Sequence, residues 1–370
     1  MPDGSERIAS MRKQDQEYVK MFRAWSASKD NRYGFYHASV ASENEYSVTD
    51  GFKGMYPAAD EREVLIRTTK LVAQTMLLFT ALNLFGSCFF SGIPHSVGGM
   101  RICREGFFIG EGIMPTAASY LFNLVTRLVP ILYLIFKTNA GIGIMVPLKI
   151  SNKPLFRHAV FFAFIAFGVL YLIQDLEYSL LGWGKPWKDL LLLDTTQKRY
   201  AVLILYGVMI PVFSEIVHRG VFLSIFRQYG DGFAMMMSSV LAALVSSEGN
   251  VLFTFAYSLM LSYFVLSTGS VITSLVMRLI ISNSYFGITL FRLLHPDSFP
   301  IVSMSVIIIY IGVGMIATIR FVARYSKRIS MPIYNLYLTD SDKVMTMFTS
   351  PSIIVWLTLH ILYMMGKTFI

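Results

Sequence analysis

The sequence predicts an all-α, polytopic bundle of about eight to nine transmembrane helices. Of its 370 residues, 54% are hydrophobic and only 15% are charged, where a soluble domain carries about 25% charged residues. The charges are not spread evenly. Long apolar runs alternate with short charged stretches, the pattern of successive bilayer crossings. The net charge is +9, and the basic residues sit in the N-terminal tail and in alternate loops rather than in one patch. That distribution follows the positive-inside rule and excludes a nucleic-acid partner.

Residues 1–70 are polar, dotted with aromatics and rich in both charge signs (KDNRYGFYHASVASENEYSVTDGF). They read as a cytoplasmic extension without a core of its own, since Ser, Asp, Asn and Gly residues break any long periodicity. Residues 71–370 form the transmembrane domain. The apolar segments fall at 71–92, 115–136, 159–173, 200–226, 233–247, 250–267, 270–294, 301–319 and 353–365. The last is short for a crossing and either spans or lies in the interface. The loop with Trp183 and Trp187 looks interfacial. An N-inside arrangement leaves most Lys and Arg on the cytoplasmic side, and the loops 137–157 and 320–343 agree with it. The expected location is therefore the cell membrane, multi-pass, with the N-terminus cytoplasmic and the lipid bilayer as the first partner.

The start lacks a basic stretch followed by an apolar core, so no cleaved signal peptide is expected. The end, GKTFI, is not a lipidation box. Cys88 and Cys103 have neither CxxC nor CxxH spacing, which argues against a cysteine metal site.

Charge inside the hydrocarbon costs a few kcal/mol, about 3 kcal/mol for Arg on insertion scales, and so marks function or pairing. The fourth segment carries PVFSEIVHRG, with Glu215 and Arg219 at i,i+4 and Ser214 and His218 at i,i+4 on the neighbouring face. The plain reading is a self-neutralising ion pair; four polar groups within six residues weaken it and set a site beside it on equal footing. Glu215-x-x-His218 is also the spacing of a carboxylate-bridged metal site, but no second such motif is present. In the fifth segment Ser238, Ala242 and Ser246 make a stripe suited to close helix packing, and Glu248 ends it. In the seventh, Ser274, Arg278 and Ser282 share a face with Asn283 beside them. Arg278 needs a carboxylate partner, for which Glu215 and Glu248 are the candidates. Arg127 lies inside the second segment.

This order of motifs resembles the CAAX protease and bacteriocin-processing (CPBP, or Abi) intramembrane protease family. The family signature is Glu-Glu-x-x-x-Arg-Gly on one helix, Phe-x-x-x-His on the next, then a Thr-Gly-Ser turn into a helix bearing His-x-x-x-Asn. Here the first motif stands as Ser214-Glu215-Ile216-Val217-His218-Arg219-Gly220, and the turn is intact as Thr268-Gly269-Ser270. The stretch LKISNKPLFRHAV is similar to members from Gram-positive anaerobes. The resemblance spans roughly residues 115–330, with its motifs at 211–285.

It implies two carboxylates and two imidazoles that converge in the membrane. They activate a water, through a divalent metal such as zinc or as a general base, for attack on a peptide carbonyl. This chain departs from the pattern. Ser214 replaces the first Glu. The middle motif falls on Ala242 and Ser246, or its His on Glu248. The last falls on Arg278 and Ser282, with Asn283 one step late. Arg is neither a base near neutral pH nor a cation ligand.

The catalytic candidates are thus Glu215, His218 and Arg219, with Ser214, Ser246, Glu248, Arg278, Ser282 and Asn283 as degenerate positions; a metal site is left open. The leading reading is a catalytically impaired homologue that binds a membrane-embedded or lipidated peptide, or a partner protein. One alternative is an active endopeptidase built on Glu215 and His218, with Glu248. Another is a small transporter using Arg127, Glu215, Glu248 and Arg278, although no inverted repeat supports it. Self-immunity to a bacteriocin by sequestration is implied by the resemblance alone.

Overall fold

The computed structural model describes residues 57–91, 101–102, 108–109, 114–181, 196–245, 251–325 and 338–369, with Lys20, Met21, Ala24, Trp25 and Ser28 of the tail. Its elements are α1 (Pro57–Ser91), a two-residue antiparallel pair β1 (Arg101–Ile102) and β2 (Phe108–Ile109), α2 (Met114–Thr138), the short α3 (Ile142–Met145) and α4 (Lys153–Leu181). A long rod follows: α5 (Thr196–Ile204), a π-helical stretch (Leu205–Met209), α6 (Ile210–Glu215), a second π-helical stretch (Ile216–Phe222), α7 (Leu223–Phe226) and a 3-10 turn (Arg227–Tyr229). Then come α8 (Asp231–Val245), α9 (Val251–Thr268), α10 (Val271–Leu294), α11 (Phe299–Tyr325), α12 (Asp340–Phe348) and α13 (Pro351–Phe369).

Among the described residues each of the nine apolar segments falls on a helix. Among the described residues six are long and apolar enough to cross a membrane: Glu61–Gly86, Met114–Thr138, Lys153–Ile173, Tyr200–Tyr229, Val271–Arg292 and Phe299–Ala323. A seventh results if Asp340–Phe348 and Pro351–Met365, bent by 63°, count as one broken span. The stretches Asp231–Val245 and Thr254–Thr268 are shorter. The fifteen residues of α8 rise about 22 Å, short of a hydrocarbon core of about 30 Å.

Polarity is arranged for lipid rather than water. On α2 the buried stripe carries Ser119, Asn123, Thr126, Pro130, Leu134 and Thr138 at helical spacing, while Leu121, Val125, Val129, Leu132 and Phe136 point outward. α11 likewise exposes Ile301, Ile308, Ile309, Ile316 and Ile319. In hydrocarbon the apolar face needs no cover, and the polar face finds its partners inside the bundle. α4 packs on α10 and α11, α8 on α9, and α1 on α2 and α13.

Three features position the middle of the rod. The turn Thr268-Gly269-Ser270 is pinned to the segment before α4: Ser151 N donates to Thr268 O (3.0 Å), Val271 N to Pro147 O (2.9 Å) and Ser270 Oγ to Leu148 O (2.9 Å). Gly269 takes φ +72° there, a region that penalises any Cβ, and Ser270 caps α10 by accepting from Ile272 N. Secondly, the first π stretch lets α10 dock. Asn283 Nδ2 donates to Gly207 O at 3.0 Å, and a Cβ on Gly207 would stand 2.8 Å from Asn283 Oδ1. Thirdly, Ser238 and Ser239 meet Ser262 across α8 and α9, at 3.3 and 3.5 Å between hydroxyls. That contact fits the close packing read from the Ser238 and Ala242 stripe.

The tail is more engaged than an extension. Trp25 is buried in the main core with Leu65, Leu134 and Phe226, and its Nε1 donates to Asn139 O at 3.2 Å. The boundary read at residue 70 falls inside α1, which begins at Pro57. Charge hid that start: Glu61, Arg62 and Glu63 look solvated in sequence, yet Glu61 is 3% exposed. Its Oε2 accepts from Leu338 N at 2.9 Å, and its Oε1 lies 3.6 Å from Nζ of the fully buried Lys343. Lys343 Nζ also donates to Tyr229 O at 2.9 Å. One lysine thus ties the starts of α1 and α12 to the end of the rod. Breaking a buried pair strands a charge and costs about 3–5 kcal/mol, more than losing both partners. Lys343→Met and Glu61→Gln should therefore each lower the Tm of the detergent-solubilised protein, and the double variant should regain part of the loss.

Candidate functional site

The site is built on the second π stretch of the rod. A π turn accommodates one extra residue in a helix and recurs at functional positions. Here it holds His218, Arg219 and Gly220, all buried, where the rod meets α2, α8, α9 and α10. The added residue turns the following side chains by about 100° relative to a regular helix. Gly220 lets the segment near α3 approach, since a Cβ there would lie 3.1 Å from Val146.

Against this turn lies a cavity of about 100 Å³. Ser214, Glu215, His218 and Arg219 of the rod line it, with Arg127 of α2, Ala242 of α8, Arg278 of α10, and Thr75, Met76 and Phe79 of α1. Residues far apart in sequence and singled out for their charge therefore converge. Ser282 and Asn283 do not join them. Asn283 is spent on Gly207 and lines a separate cleft with Ser284, Ile288 and Tyr310. Ser246 and Glu248 lie outside the described residues.

Glu215 is 1% exposed and Arg219 2%. They meet along their own helix, Arg219 Nε to Glu215 Oε2 at 3.5 Å, a long contact for a charged pair. Arg219 Nε and Nη2 and His218 Nδ1 are buried with no hydrogen-bond partner among the described residues. Arg127 Nη1 donates to Asn123 Oδ1 at 2.7 Å. The guanidinium of Arg278 sits 4.9 Å from the centre of the Tyr257 ring, a cation–π distance.

This differs from the ion pair with Glu215 expected of Arg278. The described ion pair of Glu215 is with Arg219, and Arg278 stacks on Tyr257 of α9; the other expected partner, Glu248, lies outside the described residues. Arg278, Arg219 and Glu215 all lie within electrostatic reach of Tyr257. Sequence reasoning placed this helix at 250–267 and missed its part in the site. Thr254, Tyr257 and Ser258 line the cavity, and Thr254, Ser258 and Ser262 stand at i,i+4 in an apolar run. That stripe was the available signal, obscured because hydroxyl residues also serve plain helix packing.

A divalent metal does not fit the described donor set. No group of three or more His, Cys, Asp and Glu side chains occurs among the described residues. The cavity offers Glu215 and His218 as ligand types, with the carboxylate already facing Arg219 and with Arg127 and Arg278 in the same wall. Among the described residues a cation there would meet more positive charge than negative.

Residues 196–284 match the profile of the family described as type II CAAX prenyl endopeptidase Rce1-like. The match runs from the start of α5 into α10 and takes in the rod, the Thr-Gly-Ser turn and Arg278. No curated protein and no solved structure matches the chain. The matched segment supplies Ser214, Glu215, His218, Arg219, Ala242, Tyr257 and Arg278 of the cavity wall, so this multi-pass membrane protein carries its polar centre on the segment that is similar to the Rce1-like CAAX prenyl endopeptidases.

Proposed function

We propose that this protein is a catalytically impaired homologue of the CAAX-type intramembrane endopeptidases, which holds a membrane-embedded or lipidated peptide, or a partner membrane protein, without cutting it. One observation carries the reading: at the motif positions the cavity presents Ser214 and Arg278 in place of a carboxylate and an imidazole. General-base hydrolysis needs a free proton acceptor within hydrogen-bond reach of a water. Glu215, held against Arg219, is poorly suited to that task. Arg278 adds a permanent positive charge that opposes metal binding and cannot take a proton.

A second reading keeps one specific support. His218 faces the cavity with Nδ1 unpartnered among the described residues, so an active endopeptidase built on His218 and Glu215 is the competing assignment. The protein would reside in the cell membrane with its N-terminus on the cytoplasmic side, a placement supported by the basic tail and loops.

Purified protein in detergent should not hydrolyse a prenylated peptide or a leader peptide. Cleavage by the native sequence that disappears in Glu215→Gln would overturn the impaired reading. Recovery of activity on combining Ser214→Glu and Arg278→His, with Ser246→His or Glu248→His, would support it. For orientation, a reporter active only outside the cytoplasm should stay silent when fused at residue 50 or 327; a signal at either fusion would reverse the topology.

A further inference from the structure

We infer that the cleft between α10 and α11 is a binding site for one acyl chain of an anionic phospholipid of the bilayer. The cleft is separate from the polar centre, and the inference holds whether or not the protein cuts peptides.

The cleft has the dimensions of one lipid tail. α10 and α11 each pack on α4, and Phe164 of α4 lines the gap between them. Its volume is about 540 Å³. It runs along α10 from Ile280 to Phe291 and along α11 from Tyr310 to Phe299, a rise of about 16 Å on either helix. One span ends at Arg292 and the next begins at Phe299. The mouth therefore lies at the bilayer surface and the floor near the middle of the core. One leaflet of a hydrocarbon core about 30 Å thick is about 15 Å deep. Spread over that length the space is narrower than a helix, about 10 Å across with its side chains.

The lining suits hydrocarbon. Its polar groups are spent within the protein: Asn283 Nδ2 donates to Gly207 O at 3.0 Å and Leu279 O at 2.8 Å, Ser284 Oγ to the Tyr310 hydroxyl at 3.3 Å, and Ser303 Oγ to Pro300 O at 3.2 Å. An extended peptide in this cleft would bring backbone amides without partners, which a hydrocarbon setting does not tolerate. An acyl chain brings none. The floor is braced, since Tyr310 meets Phe164 and Phe167 edge-on at 5.0 and 5.4 Å between ring centres. Gly287 widens the wall of the cleft. Glycine weakens a helix interior, yet a Cβ on Gly287 would meet nothing within 4 Å. No neighbour within the protein requires a glycine there, and the missing side chain leaves bare backbone for a chain to lie against.

The mouth selects the headgroup. The exposed Arg292 guanidinium sits 5.0 Å from the centre of the Phe299 ring on one lip. His295 leans on Phe291, the other lip, with ring centres 5.1 Å apart. Asp297 of the same loop is exposed, and neither it nor Arg292 forms an ion pair among the described residues. The donors of a guanidinium match phosphate oxygens, and a phosphate at the level of Arg292 sets its chain at the entrance of the cleft.

The test uses the full chain in nanodiscs of mixed phosphatidylglycerol and phosphatidylcholine. A trace of phosphatidylglycerol carries a photoreactive diazirine near the end of one acyl chain. After illumination, peptide mapping should find roughly tenfold more label on the stretches 280–288 and 302–310 than on the outward face of α2, the excess expected of a held lipid over bulk lipid. Gly287→Phe, which fills open space, should abolish that excess; Gly287→Leu is the second variant should the first misfold. Carrying the diazirine on phosphatidylcholine instead should lower the label roughly threefold, the value of one exposed charge pair, and Arg292→Gln should erase the difference. Equal label on the cleft and on α2, or an excess unchanged in both Gly287 variants, would overturn the site. An excess identical for the two lipids and indifferent to Arg292→Gln would overturn the anionic headgroup and keep the chain. No label in the cleft, with the native chain dimeric in detergent and Gly287→Phe monomeric, would replace the lipid by a second copy of the chain.

Discussion

The contact between Arg219 and Glu215, buried at the middle of a spanning rod, dictates the arrangement around it. Neither side chain is tolerable in contact with lipid, and at 3.5 Å they do not satisfy each other. Protein must therefore enclose them on all sides. The π turn supplies the local geometry, and α2, α8, α9 and α10 supply the walls. α8 contributes Ala242 and Val245 to that wall. The hydroxyls of α9 and the ring of Tyr257 then serve as the neutral lining against which a second guanidinium, Arg278, comes to rest.

Much of this was legible in the sequence. Runs of apolar residues placed the long helices, because hydrocarbon admits few other structures; the short α3 and the charged α12 fell outside those runs. The motif residues from Ser214 to Gly220, the turn at Thr268–Ser270 and Arg278 identified the cavity, because an ionisable group inside a span has few innocent explanations. The rest was hidden for physical reasons. A π turn depends on hydrogen-bond partners five residues apart and leaves no compositional trace. Glu61 read as solvated because its partner Lys343 lies nearly the whole chain away, and no periodicity reports a contact of that range. Asn283 looked like a displaced catalytic position, whereas its amide serves the carbonyl of Gly207.

The partner of Arg278 teaches the same lesson at finer scale. Charge balance alone pointed to a carboxylate. Among the described residues the folded chain adds an aromatic face, Tyr257 at 4.9 Å. Aromatic quadrupoles attract cations without requiring a second charge to be desolvated, so a mid-span arginine can be met by a residue type that hydropathy counts as ordinary membrane filling.

The pairing of α1 with α13 sets the order in which the protein can be completed. Thr80 Oγ1 lies 3.3 Å from His360 Nδ1 and accepts from Trp356 Nε1 at 3.3 Å, and His360 Nε2 reaches Leu244 O at 2.9 Å. A ribosome delivers α1 first and α13 some 280 residues later. Throughout that interval the first helix waits in the bilayer without its polar counterpart, and the carbonyl of Leu244 waits through the last 116 residues of it. Contacts of this sequence separation form late and leave intermediates exposed. The nascent chain thus depends on α13 to close contacts opened by α1 and α8, and the quality-control machinery of the membrane has a long window in which to recognise a copy that never received it.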